Sequence, residues 1–167
     1  MTSGPDERAS LAAYLAAQRA VVLEIVDGLG EDSLHRPVVP SGWTPLGMVA
    51  HLGYAERHWF GRVVAGTPEP LADPLREEAD GQGPFVTTHP ADVVLGFYRD
   101  QTKRAEEILA GADLDAPPRG TVQAGMTDTI TTVRDIVLHM IEETARHAGH
   151  LDIARELIDG TTGHGPR

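Results

Sequence analysis

Thr132-Val-Arg-Asp135-Ile136-Val-Leu-His139-Met140-Ile-Glu-Glu143-Thr-Ala-Arg146-His147-Ala-Gly-His150-Leu151-Asp-Ile-Ala154-Arg155-Glu-Leu-Ile158-Asp-Gly160 is the stretch that decides the fold. It reads as one long amphipathic helix over 132–158. Thr132 with Asp135 three residues on resembles a capping box at its start, and Gly160 is the expected residue just past its end. At about 100° per residue, Glu143, His147 and His150 fall within an arc of roughly 60°. Ile136, Met140, Leu151, Ala154 and Ile158 lie on or beside that arc. Three side chains able to ligate a metal therefore share the face that must be buried, where an unpaired charge is expensive. A bound divalent metal would resolve that conflict, and the remaining ligand has to come from elsewhere in the chain.

Three further helices are expected upstream, and no convincing strands. The first covers 6–29, with Leu11, Leu15, Val22, Ile25 and Leu29 as its buried stripe. Gly28 and Gly30 end it, and Pro37 and Pro40 keep the segment from Ser33 to Gly42 out of regular helix. The second covers 44–65, opened by Thr44 as N-cap and Pro45 at the first helical position. Met48, His51, Leu52, Ala55 and Trp59 share one face of it. The third covers 90–109. Between the second and third lies a long loop over 67–90, rich in Pro, Gly and acids, with a short helical turn expected near 74–79. A second loop over 111–129 carries Pro117-Pro118, and the tail 161–167 is expected to be disordered. Four long helices in one chain make an all-α, antiparallel four-helix bundle the natural architecture.

Composition narrows the function. A chain of 167 residues, 41% hydrophobic, suits one domain with a real core. Its net charge of −11 argues against nucleic acid, whose phosphates would be repelled. No run is expected to span a membrane, and the N-terminus lacks the pattern of a secretory signal, so the expected location is the cytoplasm. With no cysteine there is no disulfide, thiolate zinc site or protein-borne nucleophilic thiol. Any metal must use His and carboxylate, and any sulfur chemistry must import its thiol. Arginine outnumbers lysine 13 to 1, a bias that points weakly to a GC-rich source.

Glu143 and His147 stand four apart, with Cβ atoms about 5–6 Å from each other on a helix, so both reach one ion. His51 gains weight because the second and fourth helices then both present histidine inward. Three N/O ligands from two segments, with water completing the shell, is the arrangement of a catalytic rather than a structural zinc site. His150 is a rival ligand, a proton shuttle or a supporting hydrogen-bond partner. His58 and His139 are ambiguous; His35, His89 and His164 fall in loops or tail. Glu56 and Arg57 read as a solvated face. Arg146 and Arg155 would bind an anionic group if they reach the pocket mouth, against the plainer reading of solvent-facing charges. Trp43 either staples the second helix onto Met48 or lines a pocket, and Trp59 reads as core.

Two segments carry a family likeness. Ser41-Gly-Trp-Thr-Pro-Leu-Gly-Met-Val-Ala-His51-Leu, followed by Glu56-Arg-His-Trp-Phe60, resembles the second-helix signature of the DinB-like superfamily. His139-Met-Ile-Glu-Glu143-Thr-Ala-Arg-His147-Ala-Gly-His150-Leu-Asp-Ile-Ala-Arg155-Glu resembles its fourth-helix signature. The resemblance implies a four-helix bundle that holds a divalent metal, zinc or nickel, through one ligand on the second helix and two on the fourth. Those positions fall on His51, Glu143 and His147. Most DinB-like proteins have His where this chain has Glu143; glutamate there resembles the mycothiol-dependent maleylpyruvate isomerases. Relatives include S-transferases that use mycothiol or bacillithiol, so the resemblance implies a low-molecular-weight thiol as cosubstrate and a small electrophile as substrate. The compositional bias leans toward mycothiol. Homodimers occur among such relatives, so a homodimer is an assembly the resemblance allows.

The leading expectation is a metal-dependent thiol S-transferase or isomerase. Metal-assisted hydrolysis of small esters or amides at the same site, and a non-catalytic metal- or ligand-binding stress protein, stand as alternatives. A metal-free bundle with a buried hydrogen-bond network is the plainest of all.

Overall fold

The computed structural model describes residues 5–67, 75 and 85–163. The turn expected near 74–79 lies outside them except for Leu75, as do His164 and the last residues of the tail. The described residues are helical and contain no strand. Five α-helices follow in order: α1 (Pro5–Val26), α2 (Glu31–Leu34), α3 (Pro45–Glu56), α4 (Ala91–Gly111) and α5 (Val133–Asp159). The one-turn α2 was not anticipated. It occupies the segment between Gly30 and the prolines, too short for a periodic signal, and opens on two acids that suit a helix N-terminus.

The termini of α3 and α5 follow their residues. Thr44 Oγ1 accepts from Gly47 N–H at 3.1 Å, and Pro45 stands at the first helical position. At α5 the capping box is complete, because Asp135 N–H donates to the Thr132 side chain while the Asp135 carboxylate accepts from Thr132 N–H. Gly160 closes α5 with φ +78°, a left-handed conformation that glycine takes at little cost.

The second helix is not α-helical to its end. From Arg57 to Val64 it widens into a π-helical stretch, in which Ala65 N–H donates to the Phe60 carbonyl five residues back. Sequence period does not reveal such a change. Its physical support comes from outside: Arg119 and Gly120 N–H donate to the carbonyls of Val64 and Val63. Gly120 passes so close to Arg62 that a Cβ there would collide with the Arg62 carbonyl.

Side-chain contacts establish the helix directions. Arg134, at the start of α5, pairs with Glu7 near the start of α1, and Arg155, near the end of α5, donates to the Ile25 and Asp27 carbonyls at the end of α1. These two helices therefore run the same way. So do α3 and α4, since Gly53 abuts Phe97 while Glu56 and Phe60 share a cavity with Gln101 and Ala105. In contrast, α3 runs against α5, with His51 beside Glu143 and Trp59 beside His139. The simple alternation of directions implied by an antiparallel arrangement is thus corrected to two parallel pairs. A parallel neighbour requires a connection that returns along the helix, which accounts for the length of chain between residues 64 and 91.

The core has two parts. One gathers Val22, Ile25, Leu46, Met48, Leu52 and Tyr98; the other gathers Leu15, Phe60, Val63, Leu114, Ile136 and Met140. Within α1, the segment Glu7–Val26 is long and apolar enough to cross a membrane, with mean hydropathy 1.4. This corrects the expectation that no run qualifies; its many alanines raise hydropathy without forming a conspicuous apolar block. A third of that window is buried inside the molecule, and its buried Arg19 is paired with Glu56.

Candidate metal centre

His51 is carried by α3, Glu143 and His147 by α5 one turn apart. The antiparallel crossing of these helices brings the three side chains together, with one potential ligand atom from each lying within 4.8 Å of the others. Glu143 Oε1 is 3.0 Å from His51 Nε2 and 3.1 Å from His147 Nε2. The two imidazoles meet at 78° with centroids 5.0 Å apart. His147 is buried, while His51 and Glu143 keep partial exposure. Hydrogen bonds from His147 and then His51 hold the Glu143 carboxyl far below the usual carboxylate range, against a smaller opposing effect of burial.

The donor set fits a divalent cation. Tetrahedral zinc with bonds of about 2.0–2.2 Å places its ligand atoms roughly 3.3–3.6 Å apart. The separations of 3.0 and 3.1 Å from Glu143 Oε1 to the two imidazole nitrogens fall a few tenths of an ångström short of that range, and all three donors lie within 4.8 Å of one another, so small side-chain shifts would seat an ion. All three donors are nitrogen or oxygen and none is sulfur, the set suited to zinc or nickel in a cysteine-free chain.

His150 stands behind His147 rather than beside Glu143. Its Nδ1 lies 3.4 Å from His147 Nδ1, the ring nitrogen that does not face the carboxylate. Burial, followed by the electrostatic effect of the neighbouring His147 and Arg146, lowers the His150 pKa. Trp43 approaches the His150 ring at 6.2 Å.

The triad opens onto a cavity of about 520 Å³. Trp43, Met48 and Phe85 supply its apolar walls, and Ser41, Arg146 and His150 its polar ones. Arg155 is not among the residues brought together here. Its guanidinium ties the Asp159 carboxylate to the carbonyls of Ile25 and Asp27, so it joins the ends of α1 and α5. His58 and His139 flank Trp59 away from the cavity, and His58 also meets Gln123. His35 bonds the Thr87 carbonyl.

Two residues were misjudged or missed in the sequence. Glu56 is not on a solvated face: it is 1% exposed and bound by Arg19 through two hydrogen bonds of 2.7 and 2.6 Å. A helical projection alone does not show that α1 brings an arginine against that side of α3. Phe85 was missed altogether. Its ring packs edge-on to His51 at 4.3 Å and lies 5.7 Å from His147. Its φ is +63°, strained for a residue other than glycine. Its carbonyl accepts from Thr44 N–H at 3.1 Å, and a Cβ at Gly47 would collide with that same carbonyl. Gly47, an otherwise unexplained glycine in the first turn of a helix, was the one available signal.

The chain matches a family model described as Mycothiol-S-transferase over residues 10–160. No curated protein and no solved structure matches it. The matched region takes in α2 to α5 whole, most of α1 and all three residues of the triad, and the chain belongs to the mycothiol S-transferase family, one of the DinB-like families.

Proposed function

We propose that this protein is a metal-dependent S-transferase that joins a mycothiol-type thiol to a small electrophile, on a DinB-type four-helix bundle formed by its four long helices. The observation that carries this reading is the convergence of His51, Glu143 and His147 at the floor of a cavity in a chain with no thiol of its own. Family membership supplies the thiol chemistry. The reading places the reaction in the cytoplasm, where low-molecular-weight thiols stay reduced.

In this reading the three side chains hold one zinc ion, with nickel as the competing metal. When bound, the ion favours the thiolate form of an incoming thiol near neutral pH and so makes it nucleophilic. Glu143 contributes the negative charge that balances the cation. His150 is a positioning residue: by accepting at its Nδ1 a hydrogen bond from His147 Nδ1–H, it would leave the His147 Nε2 lone pair free for the ion. Trp43, Met48 and Phe85 exclude water from one side of the cavity. Transfer to an alkyl halide forms the S–C bond, breaks the C–halogen bond, and releases halide with the thiol proton going to solvent.

The test is the metal content of untagged protein, wild type and His51→Ala, Glu143→Ala, His147→Ala and His150→Ala, followed by consumption of mycothiol with an alkyl halide. We expect about one zinc per chain, lost in the first three variants. His150→Ala should keep the site with affinity reduced about 10- to 100-fold. Absence of metal and of uptake on titration would overturn the reading. Ester or amide turnover that needs no thiol would replace it with metal-assisted hydrolysis.

A further inference from the structure

Arg146 is exposed on the cavity wall, one residue from His147. It makes no hydrogen bond or ion pair with any described residue. The other arginines of α5 differ: Arg134 is engaged by Glu7 and Asp115, and Arg155 by Asp159 and the end of α1. The acid among the described cavity residues, Glu143, is already taken by His51 and His147. A permanent cation thus borders a cavity whose described walls offer it no anion.

The opposite walls are aromatic. Trp43 approaches His150, and Phe85 lies against His51 and His147. The strained Phe85 backbone is held by the Thr44 N–H donated to its carbonyl, and Gly47, with no Cβ, leaves room for that carbonyl. The Phe85 ring packs on His51 and His147 and forms a wall of the site.

We infer that the electrophile is a small α,β-unsaturated carboxylic acid, its carboxylate on Arg146 and its π system against Phe85 and Trp43. This rests on the S-transfer reading above and names its substrate class. The planar guanidinium offers two parallel N–H donors that match a carboxylate. A flat conjugated group gains edge or offset contact with aromatic walls. The cavity volume lies within the usual range for small-molecule sites. With an α,β-unsaturated acid the reaction is conjugate addition. The S–C bond forms at one alkene carbon, the π bond breaks, and the other carbon takes up the proton the thiol gave. Nothing is oxidised or reduced and no group leaves.

The test is binding of 3-benzoylpropionate, which lacks the reactive alkene, and of its primary amide to the zinc-loaded protein. Tryptophan fluorescence reports it at fixed pH and low ionic strength for wild type, Arg146→Ala and Arg146→Lys. Wild type should bind the acid about 10- to 100-fold tighter than the amide. Arg146→Ala should bind the two alike with zinc content unchanged, and Arg146→Lys should recover part of the preference. Equal affinities in wild type overturn the inference. So does a preference that survives in Arg146→Ala, which would put the carboxylate on the metal centre. Either result with zinc bound and mycothiol still consumed leaves the S-transfer reading standing, whereas a protein without zinc or thiol consumption removes that reading itself.

Discussion

Glu56 stands five residues after His51 on the same helix, yet the two carry different tasks. His51 faces the cavity, while Glu56 is sealed in the core against Arg19, with Phe60 beneath the guanidinium at 5.7 Å. Burial raises the Glu56 pKa, and the hydrogen bond and charge of Arg19 oppose that rise. Removing one partner leaves the other charged and unsolvated, so Arg19→Ala should cost about 3–5 kcal/mol in urea unfolding. The double replacement Arg19→Met with Glu56→Leu should recover most of that loss, and a double variant as unstable as the single would show that the pair itself is required. Glu143 makes a pH prediction for the metal-free protein. Its folded pKa is depressed below the ordinary value of 4.5, chiefly by His147 and then His51. A depressed carboxyl contributes stability that is fully present above its unfolded pKa and is lost as pH falls toward the folded one. Apoprotein stability should therefore decline below about pH 4.5, and Glu143→Gln should flatten that part of the profile; identical profiles would refute the assignment.

At the scale of elements, the π-helical stretch Arg57–Val64 is the clearest case of one segment shaping another. A widened helix leaves carbonyls without their usual partners, and here the 119–120 loop supplies N–H groups to Val63 and Val64. The close passage requires Gly120. Gly120→Ala should lose about 1–3 kcal/mol, because the Cβ meets backbone that cannot rotate away. An unchanged urea midpoint would show that the loop is free to move off. Most of the helix boundaries were legible because they rest on local chemistry: Thr44 with Pro45, Thr132 with Asp135, and Gly160 act within one turn of themselves. The change of helical pitch at Arg57 was not legible, since its cause lies some sixty residues downstream.

At the scale of the molecule, the candidate metal-binding residues come from both α3 and α5, so the proposed ion would tie the two helices together. Metal that binds only the folded chain stabilises it by mass action, by about 2.7 kcal/mol when free metal is a hundred times Kd. For a domain of this size that corresponds to a rise in Tm of roughly 5–10 °C. Wild type should show this rise on adding zinc and His51→Ala should not, while Arg19→Ala should lower Tm yet keep the zinc response. Loss of the zinc response in Arg19→Ala would mean that the core pair and the metal centre are one unit.

What the sequence alone determined was local and periodic. It placed the long helices and put His51, Glu143 and His147 on inward faces, because side-chain direction along a helix follows from residue spacing. It also required imported sulfur for any thiol chemistry, since the chain has no cysteine. Only the tertiary structure decided the rest. The parallel pairing of α1 with α5 and of α3 with α4 depends on contacts such as Arg155 with Ile25, which no spacing encodes. Arg155 and Arg146 looked alike along the chain, yet one binds the end of α1 and the other borders the cavity. Glu56 took its partner from α1, and Phe85 reached His51 from outside any helix. The physical reason is the same in each case: periodicity tells which way a side chain points from its own helix, and only packing tells what meets it there.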